Sequence, residues 1–260
     1  MHRDPSSFVF RWDATYKINA LAYPVLFCGI TDPSRKFHPV VFFLIGRKST
    51  DEYEWAMKQL MAVYEAVVGS CLQLHYVMAD AALVPVGALK TLQPQLGIKE
   101  VLMCFYYCVA CVNKRLGVVL TSVKALVAHY LFKMHFSRSV GECQLHWNEA
   151  KSARTACDAL EGKGFVRYFE GQWVNGECCH WQVYHTPGGF LTTNNPCELF
   201  NKHFKGIYTQ RTVHGLCATF PLLGSITSNI PPSKHSPLHC GFCSARNCNK
   251  DSDFGDERSP

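Results

Sequence analysis

Three acidic residues, far apart along the chain, have neighbours that suggest they could act together. Asp13 lies inside an apolar segment, Asp80 directly follows another, and Glu198 comes soon after the dipeptide Asn194-Asn195. Converging carboxylates can hold two divalent cations that activate the attacking oxygen and stabilise the leaving oxygen in phosphodiester cleavage. Hard ions such as Mg²⁺ and Mn²⁺ prefer these oxygen ligands. The three acids are therefore the candidate catalytic and metal-binding set.

Each acid also has a purely structural interpretation. Asp13 could lie on the exposed face of an edge strand. Asp80 could cap the helix that follows it, and the capping preference of aspartate favours this alternative. Glu198 could complete a capping box, with Asn195 as the N-cap and Pro196 as the first helical residue. The same place near the positive end of a helix would keep the carboxylate ionised, as a metal ligand requires.

The residues around Asp13 predict β-strands. Side chains alternate over residues 8–15, with Trp12 on one face and Asp13 on the other. Two further strands are predicted over residues 23–30 and 37–45, joined by short connections. Three strands connected in this way predict an antiparallel meander.

After the third strand the apolar residues recur at helical spacing. A helix is predicted to begin near Ser49 and to run to Gly69, followed by a strand over residues 73–79 and a helix over 82–92. From residue 100 to about 160 we expect mostly helix, and a further helix from the Asn194-Asn195 dipeptide to about residue 205. Strands and helices in this order predict a mixed α/β fold.

The composition is that of a globular protein in a reducing compartment. With 260 residues, 48% of them apolar, the chain can bury a substantial core. Its 14 cysteines sit partly inside apolar runs, which favours buried thiols over disulfides. No secretory signal is recognised, and no run reaches the ~18 apolar residues that span a bilayer, so we expect an intracellular protein without a membrane partner. The net charge of +6 permits a polyanionic partner without requiring one.

Taken together, the acidic segments resemble the Mutator-like element (MULE) transposases. The likeness is carried by residues 12–19 (WDATYKIN) with 23–26 and 37–40, by residues 77–80 (VMAD), and by residues 193–202 (TNNPCELFNK). The first and last strings are fairly specific, whereas the middle one is not. The order and spacing of the acids also fit, and the resemblance covers about residues 8–206.

The resemblance implies an α/β fold of the ribonuclease-H-like type, a mixed sheet with flanking helices and an inserted, mostly helical region. Asp13 would lie on the first strand, Asp80 after the fourth, and Glu198 on the closing helix. The implied reaction is metal-dependent cleavage of DNA and strand transfer at transposon ends, with Mg²⁺ or Mn²⁺ as the cofactor. A catalytic core is thus predicted over residues 1–210, with its insertion over about 100–190, and a partly disordered tail over 211–260.

DNA is the partner that the resemblance implies, and the nucleus the compartment. Lys17, Lys202 and Lys205 would then lie near the phosphates. For any one of them, an ordinary solvated lysine is the alternative, and it is the favoured one. The sequence leaves the oligomeric state open, a homo-oligomer included.

The sequence also departs from the family pattern. Such transposases often carry a Cys-x-x-His pair after the second acid, whereas this chain has Cys104 followed by Tyr107 at the histidine position. Zinc-binding modules that accompany such cores are not recognised on either side. These departures keep a second hypothesis open: a truncated or inactive copy, domesticated as a non-catalytic DNA-binding or transcription-regulatory protein.

Three further groups contain metal-binding residue types. Cys240, Cys243 and Cys248, with a histidine before them, could hold Zn²⁺, but the ligand spacing is incomplete and favours free thiols. Residues 177–181 (ECCHW) are predicted to pack in the core. Cysteines and a tyrosine over residues 104–111 share one helical face, which predicts a buried stripe.

Overall fold

A mixed sheet organises the part of the chain that the computed structural model describes, namely residues 3–80, 83–153, 164–229 and 242–244. The order of its strands across the sheet is β5-β4-β1-β2-β3-β6. The strands are β1 (Val9–Thr15), β2 (Val25–Thr31), β3 (Phe37–Leu44), β4 (Tyr76–Ala79), β5 (Glu100–Met103) and β6 (Phe242–Ser244).

The strand β1 lies in the middle of this sheet. It pairs antiparallel with β2, β2 pairs antiparallel with β3, and β4 runs parallel to β1 on its other side. The predicted meander is therefore confirmed, and so is the ribonuclease-H-like arrangement of strands and flanking helices. The edge-strand alternative for Asp13 is wrong, because neighbouring strands cover both sides of β1.

The strand β5 corrects the expectation that the chain is mostly helical from residue 100 onward. Its four residues pair in parallel with β4, from Tyr76↔Glu100 to Ala79↔Met103. A short apolar run cannot be assigned to strand or helix by periodicity alone. Residues 100–103 form a strand because the buried N–H and C=O groups of β4 need hydrogen-bond partners, and β5 supplies them.

Helices flank the sheet and fill the insertion. The predicted helix up to Gly69 is confirmed; Gly69 adopts the left-handed conformation with φ of 76° and donates its N–H to the carbonyl of Glu65. The helices are α1 (Thr50–Val68), α2 (Leu83–Leu96), α3 (Phe105–Leu116), α4 (Thr121–His135), α5 (Val140–Ser152), α6 (Phe165–Phe169), α7 (Asn195–His203) and α8 (Leu216–Asn229). Single turns of π-helix follow α6 (Glu170–Val174) and α7 (Phe204–Tyr208), and a 3₁₀ turn covers Val183–His185.

The two faces of the sheet carry different residues. On one face, Phe10 and Trp12 pack in the main apolar cluster with α1, where Tyr53 meets the Trp12 ring edge-on at 5.0 Å. On the other face, α7 and its π turn cover β2, and Phe204 contacts Phe27 with ring centroids 5.1 Å apart. The side chain of Asp13 alternates onto this second face.

The helical insertion is anchored to the sheet by stacked rings. His135 lies parallel to Phe105 at 3.5 Å between ring centroids, and its Nδ1 is 2.8 Å from the carbonyl oxygen of Trp181. Burial lowers the pKa of His135 to about 4, so the ring is neutral near pH 7. Trp181 and Cys178 are both 1% exposed, which confirms the predicted core packing for these two residues of the segment 177–181.

The C-terminal region contributes two described elements. Leu223 of α8 packs in the same apolar cluster as Ile18 and Phe204, and β6 pairs in parallel with β3. Of the candidate zinc ligands, Cys243 lies in β6, while Cys240 and Cys248 fall outside the described residues. The division into a core over residues 1–210 and a tail over 211–260 stays a prediction. Among the described helices, none combines the length and apolarity that crossing a membrane would require.

Candidate active site

The register of two parallel strands brings Asp13 and Asp80 side by side. Phe10 of β1 pairs with Val77 of β4, and Arg11 pairs with Met78. The same register, continued two residues further, sets Asp13 opposite Asp80. Adjacent strands are about 4.8 Å apart, and residues opposite one another in a parallel pair face the same way. Both carboxylates therefore emerge on the second face of the sheet, near the carboxyl end of β4.

The helix α7 delivers Glu198 to the same place. Its N-cap is Asn194 rather than Asn195, and that residue makes no side-chain capping hydrogen bond. The capping-box interpretation of Glu198 is therefore wrong, because the helix begins one residue earlier and Glu198 falls past the capping position. Its carboxylate is free to turn to the sheet, where oxygens of Asp80 and Glu198 and the Cys104 sulfur all lie within 4.8 Å of one another.

The pKa of each of the three acids is raised, and burial is the main cause in every case. Burial, and after it the charges of Asp13 and Glu198, raises the pKa of Asp80 to about 7. Burial chiefly raises the pKa of Asp13, against the opposing effect of Lys48, and burial with the charge of Asp13 raises that of Glu198. Like charges are thus crowded into a half-buried space, where a cation would relieve the repulsion.

Two asparagines of α7 hold the aspartates. The side-chain amide of Asn201 donates to Oδ2 of Asp13, and that of Asn194 donates to Oδ1 of Asp80 at 3.4 Å. The remaining Oδ1 atom of each asparagine is buried and has no hydrogen-bond partner among the described residues. The carboxylate oxygens of the site are of the ligand type that suits a hard divalent cation.

Sequence reasoning assigned no role to these asparagines. Both belong to the string that carried the family resemblance, and the spacing holds a usable signal. Asn194, Glu198 and Asn201 recur at intervals of four and three residues, so they share one side of the helix. A polar stripe beside aromatic residues that pack on the sheet, Phe200 and Phe204, indicates a buried site.

A known family matches the part of the chain that holds the first two acids. Residues 9–110 match the sequence model described as the MULE transposase domain. The chain carries a MULE transposase domain. The matched stretch holds β1 to β5, and with them Asp13 and Asp80, whereas Glu198 lies beyond it. A comparison with curated proteins finds no match.

A buried arginine of the MULE domain ties the segment before α7, which lies outside the matched residues, to the first strand. Arg11 is fully buried and donates to Oγ1 of Thr31 at 2.8 Å and to the carbonyl oxygens of Leu191 and Thr193. Burial lowers its pKa to about 10, so the guanidinium stays charged at neutral pH. These bonds hold the chain just before Asn194, and hence the start of α7.

Lysines surround the Asp13 end of the site. Burial lowers the pKa of Lys205, and its charge interacts with those of Asp13, Lys17 and Lys48. Of the three lysines singled out in the sequence, Lys205 therefore lies near Asp13 and Lys17 lies near Lys205, while Lys202 is exposed on α7. Lys48 was missed, because it follows β3 and comes near Asp13 only through the pairing of the strands.

The Cys104–Tyr107 segment, where the MULE domain of this chain departs from the family pattern, lies at the edge of the site. Cys104 is buried, and its sulfur accepts the backbone N–H of Asn194 at 3.2 Å. Tyr107 is 36% exposed; burial chiefly raises its pKa, with smaller effects of Asp80, Asp13 and Glu198. The predicted buried stripe holds for Cys104 and Cys108, but Tyr107 borders the acids instead.

Proposed function

We propose that this chain is a MULE-type transposase core that cleaves phosphodiester bonds of DNA and transfers strands at transposon ends. The observation that carries the proposal is the approach of Asp80 and Glu198 to within 4.8 Å of each other, with Asp13 opposite Asp80 on the neighbouring strand. The matched family supports transposase-type function and DNA as the partner. The site, rather than the fold, supports the reaction, because one fold can host unrelated activities.

The donor set fits Mg²⁺ or Mn²⁺, with the three carboxylates as the ligands. A bound pair of such ions would activate the attacking oxygen and stabilise the leaving oxygen. The chain's own part is to hold the acids in place. Asn201 orients Asp13, Asn194 orients Asp80, and Arg11 holds the segment from which Glu198 projects. Preorganisation of this kind lowers the reorganisation needed when the reaction begins.

Lys17, Lys48 and Lys205 would bind the phosphates on either side of the reacting bond. The charges of Lys48 and Lys205 lie beside Asp13, where a scissile phosphate would have to enter, and Lys17 lies near Lys205. Phosphate contacts position nucleic acid without reading its sequence, and they make binding weaken as salt rises. The proposed reaction acts on chromosomal DNA, so we propose that the protein works in the nucleus. A homo-oligomer would allow two transposon ends to be joined in one complex.

A second candidate is a non-catalytic DNA-binding or regulatory protein. The observation that favours it is Tyr107, which borders the acids at the position where family members often carry histidine. A phenol with a raised pKa stays protonated near neutral pH, so it cannot accept a proton there as imidazole can. In this case the lysines would still hold DNA while the acids would no longer act on it.

A plasmid nicking assay tests the first candidate, because it needs no knowledge of the target sequence. We expect the purified chain to nick supercoiled plasmid with Mg²⁺ or Mn²⁺ and not with EDTA. Asp80→Asn and Glu198→Gln should each abolish nicking. The matched control is Glu177→Gln, since Glu177 is an exposed acid paired with Lys90. Nicking that persists in Asp80→Asn and Glu198→Gln would contradict the proposed site.

Binding measurements then separate the two candidates. Salt-dependent binding of duplex DNA without nicking in either metal would favour the second one. In that case Lys48→Ala and Lys205→Ala should weaken binding, whereas Asp80→Asn should leave it unchanged or strengthen it. Absence of DNA binding at low salt would count against both candidates.

A further inference from the structure

A second cluster of metal-binding residue types lies at the edge of the sheet. Glu100 opens β5, and His180 and His185 lie in the segment that runs along that strand. Their nearest ligand atoms all lie within 4.8 Å of one another. Nδ1 of His180 is 2.8 Å from Oε2 of Glu100, Nδ1 of His185 is 3.7 Å from the same oxygen, and the two rings stack at 4.2 Å.

The hydrogen bonding of this cluster is incomplete. Oε2 of Glu100 is buried and receives no well-aligned hydrogen bond from the described residues, although His180 is close. A buried carboxylate oxygen without a well-aligned donor is costly, and a coordinated cation would remove that cost. Three ligand atoms within 4.8 Å of one another could share one metal ion.

A fourth ligand stands next in the chain. The thiol of Cys179 is partly exposed and interacts with the ring of His180, although it lies outside the group of atoms within 4.8 Å of one another. Two histidines, a carboxylate and a thiolate form a mixed nitrogen, oxygen and sulfur set. Zn²⁺ accepts all three ligand types and prefers four of them in tetrahedral structural sites, whereas Mg²⁺ prefers oxygen alone. The chemistry thus differs from that of the acidic site.

The two clusters are also separate in space. Glu100 pairs with Tyr76 at the beginning of β4, while Asp80 follows the residue that pairs with Met103 at the other end of β5. Four strand residues correspond to roughly 13 Å. The carbonyl of His180 accepts the N–H of Met103 at 2.9 Å, so the histidine segment already runs along the edge of β5.

We propose that Glu100, His180 and His185 bind one Zn²⁺ ion, with Cys179 as the fourth ligand. The ion ties the segment ahead of α7 to the outer strand of the sheet. Six residues beyond His185 the same segment reaches Leu191, where Arg11 takes hold of it. The site is structural, and it does not depend on whether the acidic site cleaves DNA.

Cobalt substitution tests this site directly. The protein is prepared with Cys240→Ser, Cys243→Ser and Cys248→Ser, so that the tail thiols cannot bind the ion. We expect one Zn²⁺ per chain by elemental analysis, and with Co²⁺ the intense visible absorption of a four-coordinate site. The double variant His180→Ala/His185→Ala should weaken binding at least about 100-fold, and Cys179→Ser should remove the sulfur-to-cobalt band.

Two further variants keep the outcome decisive. Glu100→Gln preserves size and hydrogen bonding, so it should lose Co²⁺ affinity while its circular dichroism stays unchanged, even if the histidine variant folds poorly. The control is His146→Ala, because His146 also lies between two carboxylates, those of Glu142 and Glu149. An unchanged cobalt spectrum in folded Glu100→Gln, or no stoichiometric Zn²⁺ at micromolar concentration, overturns the proposal. Retention of the spectrum in Asp80→Asn would confirm that the two sites are independent.

Discussion

The two faces of the strand β1 carry side chains with different roles. On one face, Phe10 and Trp12 are each 2% exposed and pack against α1 in the main apolar cluster. On the other, Arg11 is fully buried and Asp13 is half-buried beneath α7. Since the residues alternate along a single strand, the backbone hydrogen bonds are shared and only the side chains differ.

Burial has opposite consequences on the two faces. Removing an apolar ring from water stabilises the fold. Burying the carboxylates of Asp13 and Asp80 raises the pKa of each, which means that the charged form is held at a cost. Burial on the apolar face therefore offsets the cost of burying the carboxylates on the acidic face. Substitutions on the apolar face should mainly change stability, and those on the acidic face should mainly change activity.

The largest expected effect is on the apolar face. Phe10→Ala should lower the free energy of unfolding by about 3–5 kcal/mol, because it removes a buried ring and leaves a cavity. Urea denaturation followed by circular dichroism measures this loss. Phe136→Ala is the control, since Phe136 is 64% exposed and its removal should change stability by less than about 0.5 kcal/mol. If Phe10→Ala loses less than about 1 kcal/mol, its loss is close to that of the control. The two faces would then no longer differ in their contribution to stability.

The next effect is on the acidic face of the same strand. Asp13→Asn should lower the rate of metal-dependent nicking by about 10²–10³-fold, or about 3–4 kcal/mol, because a charged metal ligand becomes neutral. The free energy of unfolding at pH 7.5 should not fall, since the buried charge was unfavourable. Single-turnover nicking and urea denaturation are measured on the same preparation. A variant that loses stability and keeps its activity would reverse the assignment of the two faces.

The third prediction concerns pH without metal. The pKa of Asp80 is raised from its ordinary 3.8 to about 7 in the folded protein, so folding favours the protonated form. Its stabilising contribution is complete below pH 3.8 and is lost as the pH rises through 7. In EDTA, Asp80→Asn should therefore gain stability relative to the unmodified chain by up to about 1.4 kcal/mol per pH unit over this window.

Urea denaturation at about pH 5, 6, 7 and 8 measures the difference in unfolding free energy between Asp80→Asn and the unmodified chain. Glu177→Gln should show no such trend, because that acid is exposed. Addition of Mn²⁺ should reduce the difference at high pH, since the cation stabilises the charged form. A pH-independent difference between Asp80→Asn and the unmodified chain would contradict the crowding of the acids.

The smallest effect is expected at Arg11. Arg11→Lys keeps the charge but loses the planar fork that reaches Thr31 and the carbonyls of Leu191 and Thr193. We expect nicking to slow by about tenfold and the free energy of unfolding to fall by about 1 kcal/mol. Arg35→Lys, an exposed turn residue, is the control. Unchanged nicking would show that Arg11 does not position the segment before α7.

Much of the fold follows from local patterns. The alternation over residues 8–15, the helix ending at Gly69 and the helix after the Asn194-Asn195 dipeptide are all found within a few residues of the predicted places. The strand β5 was missed, since four residues carry too little periodicity, and the helix cap was assigned one residue late. Both errors concern partners that lie far away in the chain: β4 for the strand, and Asp80 for the side chain of Asn194.

The sequence alone determined which residues of β1 are apolar and which are charged, where the acids stand, and which family they resemble, because these properties are local. Tertiary structure decided that Asn201 meets Asp13, that Arg11 holds residues 191 and 193, and that Glu100 meets His180 and His185. Each of these contacts depends on strand register and on the path of the insertion. Register and path are set by the packing of the whole chain, so no short stretch of sequence contains them.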